Sequence, residues 1–137
     1  IAENGYTHLQ LHGNEGPEYC RNLMSEVKII KTFHIEKEFD FSSLQDYEQV
    51  CDYYLFDTSG AQRGGTGKKF DWELLKKYEG DKPFFLSGGI GPDDVPKIQS
   101  LVMQSLFAID VNSKFEIEPA VKDSGMLGVF IKALRNE

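Results

Sequence analysis

The feature that most constrains this 137-residue chain is an alternation of strand-like and helix-compatible segments. Five short strand-like runs follow one another, and each ends in polar or glycine-rich residues. In the first, YTHLQLHG (6–13), Thr7, Leu9 and Leu11 alternate with His8, Gln10 and His12. That is the period of two expected of a strand with unlike faces. VKIIKTFHI (27–35), DYYLFDTS (52–59), KPFFLSGGI (82–90) and SLFAIDVNS (105–113) read as the other four. Between them, Pro17 opens a helix with Tyr19, Leu23 and Val27 at helical spacing. Ser42 or Ser43 is a candidate cap for a helix carrying Leu44, Tyr47 and Val50 or Cys51. Asp71 and Gly80 bracket FDWELLKKYEG as cap and stop. Pro92 and the acids after it open GPDDVPKIQSLVMQ, where the helix dipole favours negative charge. MLGVFIKALRNE (126–137) reads as a closing amphipathic helix with Leu127, Phe130, Ile131 and Leu134 on one face.

Strands and helices alternating at roughly 20–30-residue spacing imply an α/β fold of parallel strands joined by right-handed crossovers. Two architectures compete, an open doubly wound sheet and part of a (β/α)8 barrel. Central strands of an open sheet are covered on both faces and read as apolar throughout. The first strand instead aligns His8, Gln10 and His12 on one face. Polar residues there suit a barrel, whose active site lies at the C-terminal rim of its strands. A complete barrel takes about 250 residues, so these five βα units read as a partial TIM barrel and residues 1–137 as a single domain. The chain begins with Ile1 rather than Met, which reads as the remainder of a longer polypeptide. Unpaired edges at the first and fifth strands invite association. The expected responses are self-association with a second copy or opening into a flavodoxin-like sheet.

Hydrophobic content of 40% and aromatic content of 12% fit a globular protein. The excess of 22 acidic over 15 basic residues argues against a nucleic-acid or anionic-membrane surface. A pocket for an anionic ligand stays compatible with that charge, because backbone amides can line it. Cys20 and Cys51 lack C-x-x-C spacing and read as buried, reduced thiols of a cytoplasmic protein. No transmembrane run or secretory segment is visible.

FDTSGAQRGGTGKKFDW (56–72) invites comparison with the phosphate loop of NTPases. That loop needs G-x-x-x-x-G-K-[ST], but Gln62 and Lys69 stand where glycine and a hydroxyl residue are required. The informative residues are at the strand tips instead: His12, Lys31 or His34, Asp57, Ser87-Gly88-Gly89, and Asp110 to Ser113. Barrels acting on phosphorylated substrates often hold the phosphate with the loops after strands seven and eight. Glycine lets the backbone approach an anion closely, and Asn112 and Ser113 add N–H and hydroxyl donors. On that reading the visible strands are numbers four to eight.

QLHG (10–13), FDT followed by RGGTGKKFDW (56–72), LSGGI (86–90) with DDV, and DVNS through P-x-V-K-D (110–123) together resemble phosphoribosylanthranilate isomerase. They occur in that family's order and at its spacings along the whole chain, and GGTGKxFDW after an F/L-D-T strand is the most specific. The resemblance implies a cofactor-free Amadori rearrangement in tryptophan biosynthesis, acting on a small phosphorylated substrate. Asp57 matches the family's general acid, which protonates the ribose ring oxygen. A carboxyl group kept protonated by its pocket suits that role near neutral pH. Gly88, Gly89, Asn112 and Ser113 match its phosphate site. Asp110 would lie near the bridging amine, Gln10 and His12 would line the pocket, and Gly64, Gly65 and Gly67 would form a lid.

The sequence departs from the family in three respects, one being that substrate contacts from the second and third barrel strands are missing. The family's general base, a cysteine in K-I-C-G on the first barrel strand, has no counterpart here, so the 137 residues alone are expected to be inactive. Lys114 stands where many relatives have glycine. Simpler readings apply elsewhere: His8 and His34 read as structural, Lys31 as equally a pocket residue or a neighbour's partner, and Lys68-Lys69 as a solvated face. Tyr53, Tyr54, Phe84 and Phe85 read as strand packing. No His/Cys/carboxylate spacing suggests a metal site. The rival readings are another phosphate-binding barrel, such as a ribulose-phosphate epimerase or the tryptophan synthase α type, and a non-catalytic anion-binding module.

Overall fold

A computed structural model describes residues 4–58 and 72–137. Its centre is a parallel five-stranded sheet of β1 (His8–Leu11), β2 (Lys28–His34), β3 (Tyr53–Asp57), β4 (Phe84–Ser87) and β5 (Leu106–Ile109), in the order β1-β2-β3-β4-β5. That order decides between the two architectures. A doubly wound sheet reverses direction at a switch point and puts helices on both faces. Strands added one after another by right-handed crossovers put every connection on the same face, as in a barrel wall. A flavodoxin-like strand order is therefore excluded.

Burial follows the same division. Register aligns Leu11, Lys31, Tyr54 and Phe84 on one face, with Phe33, Phe56 and Leu86 one row further along. Most of these are buried, under α1 (Pro17–Leu23), α2 (Val95–Ser100) and the 3-10 segments Phe41–Tyr47 and Trp72–Lys77. The opposite face carries His8, Gln10, Tyr53, Phe85 and, 60% exposed, Phe107. Tyr53, Phe85 and Phe107 touch one another there, with centroids 5.2–5.6 Å apart. Thr32 Oγ1 is buried on this side with no hydrogen-bond partner among the described residues.

The connections are shorter and tighter than the periodicity predicts. In α1 the inward residue is Cys20, fully buried, while Tyr19 is exposed, and the helix stops at Leu23 before Val27. Over Phe41–Tyr47 the helix is 3-10, and Asp40 rather than either serine caps it by accepting the Ser42 N–H at 2.9 Å. Side chains that bond to nearby backbone oppose a longer α-helix here; the Ser43 hydroxyl donates to the Asp40 carbonyl at 2.7 Å. The segment at 91–104 divides into a 3-10 turn Pro92–Asp94 and α2, because Pro96 brings no N–H to continue the ladder. Asp71 lies outside the described residues. A small antiparallel pair, β6 (Glu116–Glu118) and β7 (Val121–Lys122), has no sequence-level expectation behind it. It precedes α3 (Ser124–Arg135), which Asp123 caps by accepting the Met126 N–H at 2.9 Å. On α3 the expected face is only partly inward: Phe130 is buried against Phe115, whereas Ile131 stays exposed.

Candidate active site

Parallel register brings the tips of the strands to one level. His34 pairs with Asp57, and Asp57 with Ser87, so these three side chains leave the sheet on one face at its C-terminal end. Asp57 is 8% exposed. Beyond it Thr58 is fully buried, and its hydroxyl donates to the carbonyls of Ser87 (2.9 Å) and Gly88 (3.3 Å). The indole N–H of buried Trp72 donates back to Thr58 Oγ1 at 3.4 Å. The acid-bearing tip is thus tied to both the β4 tip and the start of the next helical segment.

At that β4 tip, Gly88 and Gly89 have φ of 112° and 64°. Side chains disfavour both conformations, so the pair is suited to glycine. A cavity of about 170 Å³ opens there, lined by Asp57, Ser87, Gly88, Gly89, Ile90, Asp110, Asn112, Ser113 and Lys114. Ser87 Oγ donates to Asp110 Oδ2 at 2.9 Å, joining the β4 and β5 tips. Asn112 Oδ1 accepts from the Lys122 ammonium, which also bonds Glu116 at 2.6 Å. The small β6–β7 pair therefore anchors the loop that carries Asn112. The Asp94 carboxylate accepts the Gly91 N–H at 2.8 Å and pins the exit from the glycine pair. Larger hollows exist among the described residues, including one of about 450 Å³ lined by Lys76, Gly80 and Val102, but those of about 350–500 Å³ include neither Asp57 nor the Gly88–Gly89 pair.

Gln10 and His12 belong to the same rim, on the neighbouring side. The Gln10 amide lies 3.3 Å from His12 Nδ1, and His12 Nε2 is 4.0 Å from Asp57 Oδ2. Nearer still is His34, whose Nδ1 is 3.3 Å from the same oxygen and whose ring meets that of His12 edge-on at 5.3 Å. Of the two candidates for the second strand tip, Lys31 and His34, it is His34 that stands at the rim beside Asp57. The usable signal was parity: His34 shares a face with Ile30 and Thr32, but its level relative to Asp57 depends on strand pairing.

Other candidates resolve away from the rim. Lys31 is 3% exposed on the helix-covered face, donating to the Gly13 carbonyl at 2.7 Å and to Glu15 at 2.9 Å. That hydrogen bond holds the Glu15 carboxyl below its ordinary range. Cys20 and Cys51 are buried, free and next to each other. Burial raises both thiols, Cys51 to about 12, which disqualifies them as bases near neutral pH. Gly64, Gly65 and Gly67, the expected lid, lie outside the described residues. Among the described residues no helix is long and apolar enough to cross a membrane.

Comparison with known proteins agrees with this geometry. The sequence model of the family described as N-(5'phosphoribosyl)anthranilate (PRA) isomerase matches residues 2–133. The N-(5'-phosphoribosyl)anthranilate isomerase of Phocaeicola vulgatus is 43% identical over 136 residues, 98% of this chain and 66% of that relative. A solved phosphoribosylanthranilate isomerase from Thermotoga maritima, described as a monomer generated from a dimeric enzyme, superposes with TM-score 0.79 at 30% identity, covering 99% of this chain and 64% of that one. Another, in complex with reduced 1-(o-carboxyphenylamino)-1-deoxyribulose 5-phosphate, gives TM-score 0.77 at 29% identity, covering 99% and 63%. The chain thus spans a little under two thirds of the length of these relatives, and its five strands are a partial (β/α)8 barrel. It belongs to the phosphoribosylanthranilate isomerase family.

Proposed function

We propose that these residues supply the general acid and the phosphate cradle of a phosphoribosylanthranilate isomerase. The carrying observation is the single cavity lined by both Asp57 and the Gly88–Gly89 pair. In the reaction, Asp57 gives its proton to the ring oxygen of N-(5-phosphoribosyl)anthranilate as the ribose opens. A base then takes the C2 proton, and the enolamine collapses to 1-(2-carboxyphenylamino)-1-deoxyribulose 5-phosphate. Amides of Gly88 and Gly89, with Asn112 and Ser113, hold the phosphate at the far end of the bowl. Asp110 orients the bridging amine, and Gln10 and His12 line the side beside the acid. The chemistry is proton transfer alone, so no cofactor is invoked. Residues 1–137 act as one domain corresponding to strands four to eight of the family's barrel, in the cytoplasm, with self-association through the β1 and β5 edges as the alternative to pairing with a complementary segment.

The base belongs to the part of the family's barrel that these residues do not match, since both cysteines here are buried with raised pKa. The 137-residue chain alone is therefore expected to show little or no turnover. Mixing it with a separately produced segment carrying the first three βα units of a family barrel should produce activity. Equal turnover with and without that segment would mean the base lies within these residues. No turnover in the mixture, with inorganic phosphate still bound, would favour the non-catalytic anion module.

The cradle has its own test. At φ of 112°, an alanine replacing Gly88 is strained by about 1–3 kcal/mol, and relief rotates the amide away from the anion. Gly88→Ala should weaken inorganic phosphate binding by roughly tenfold, measured by calorimetry. Gly16→Ala, at φ −77° with open space around it, is the control. Unchanged affinity in Gly88→Ala would remove the glycine amides from the phosphate site.

A further inference from the structure

His12 Nε2, His34 Nδ1 and an Asp57 carboxylate oxygen, from the tips of three adjacent strands, lie within 4.8 Å of one another. We infer that these three side chains form a binding site for a divalent transition-metal ion of the Zn2+ class, with solvent completing its coordination.

The donor set and its spacing carry this. Two imidazoles and one carboxylate suit Zn2+, Co2+ or Ni2+ better than Mg2+ or Ca2+, which prefer all-oxygen shells. Bonds of about 2.0–2.2 Å in a tetrahedron separate donors by roughly 3.3 Å. His34 and Asp57 already stand 3.3 Å apart, and His12 is 4.0 Å from the same carboxylate oxygen. Closing that gap takes less than an ångström, and bringing all three donors from within 4.8 Å to a common 3.3 Å takes at most about 1.5 Å, a movement open to a ring whose side chain is 54% exposed. Asp57 is the fixed member, its side chain 11% exposed. His12 also has the supporting partner that a metal-bound imidazole requires. With the Gln10 amide turned so that its oxygen accepts from Nδ1–H, Nε2 is left as the free donor atom. The expectation of no metal site rested on spacing within a run, whereas these donors stand at positions 12, 34 and 57 and meet only through strand register.

Such an ion is not a cofactor. It would occupy the carboxylate assigned above as proton donor and so inhibit, a consequence that rests on the proposed function, whereas binding itself does not. The test therefore reads binding directly on the 137-residue chain, by calorimetry with Zn2+ and by visible absorption with Co2+. One equivalent should bind, with a four-coordinate Co2+ spectrum. His12→Ala, His34→Ala and Asp57→Asn should each weaken binding by at least about tenfold, the loss that even a supporting partner's removal produces. His8→Ala, at the far end of β1, should leave it unchanged. The site is refuted if no saturable equivalent binds, if any of the three variants keeps the parent affinity, or if His8→Ala weakens binding as much as they do.

Discussion

Asparagine in place of Asp57 is expected to lower turnover of the complemented enzyme by about 10²–10⁴-fold, the range for a lost general acid, with phosphate affinity nearly unchanged. The substitution is close to isosteric. Asp57 sits at the end of β3 with its backbone committed: its carbonyl accepts the Ile35 N–H at 2.8 Å, and neighbouring Thr58 is locked to β4. The amide keeps the shape of the tip and removes only the transferable proton. The loss should therefore appear in kcat and in kcat/KM equally, as expected of an interaction made only in the transition state. A rise in KM at constant kcat would instead make Asp57 a ground-state binding residue. Turnover within a few fold of the parent would move the acid elsewhere, and His34, 3.3 Å from the same carboxylate, is the first group to examine.

What sequence reasoning could and could not see follows from the range of the forces involved. Strand positions came through because alternation and β-branching are local properties: 27–35 against Lys28–His34 differs by a residue at each end. The barrel-like winding was foreshadowed by His8, Gln10 and His12 on one face, although only the strand order excludes the doubly wound alternative. Connections were read less well. Tyr19, Leu23 and Val27 look like a helical stripe, yet the helix ends after seven residues and buries Cys20 instead. Short connections are fixed by what they must cover on the sheet rather than by their own periodicity. In the site, Asp57 and the glycine pair are legible with their roles because a motif surrounds them. His34 is legible only as a strand-tip candidate and Lys122 only as part of a motif, since their contacts depend on which strand tip or hairpin lies alongside.

The largest expected stability change is at Phe56. Its ring is fully buried on the helix-covered face, with centroids of Phe84 at 4.6 Å, Tyr78 at 5.2 Å, Tyr54 at 6.0 Å and Phe41 at 6.1 Å. Those neighbours come from β3, β4, the 3-10 segment Phe41–Tyr47 and Tyr78 just after the segment Trp72–Lys77, so the space left by Phe56→Ala borders four parts of the chain that cannot all move inward. Truncations of this kind cost about 3–5 kcal/mol, a large share of the roughly 5–15 kcal/mol that holds a small domain together. With a urea slope of about 1–3 kcal/mol per molar, the unfolding midpoint should fall by at least roughly 1 M. Phe107→Ala is the informative contrast. Its ring is 60% exposed on the open face beside Tyr53 and Phe85, so at low protein concentration the cost should stay within about 0.5 kcal/mol. If the chain self-associates through the bare β5 edge, that cost should grow with protein concentration, because a second copy would then cover the ring. A concentration-independent loss at Phe107 as large as that at Phe56 would mean the open face is already closed within one chain, contrary to a barrel wall with one face bare.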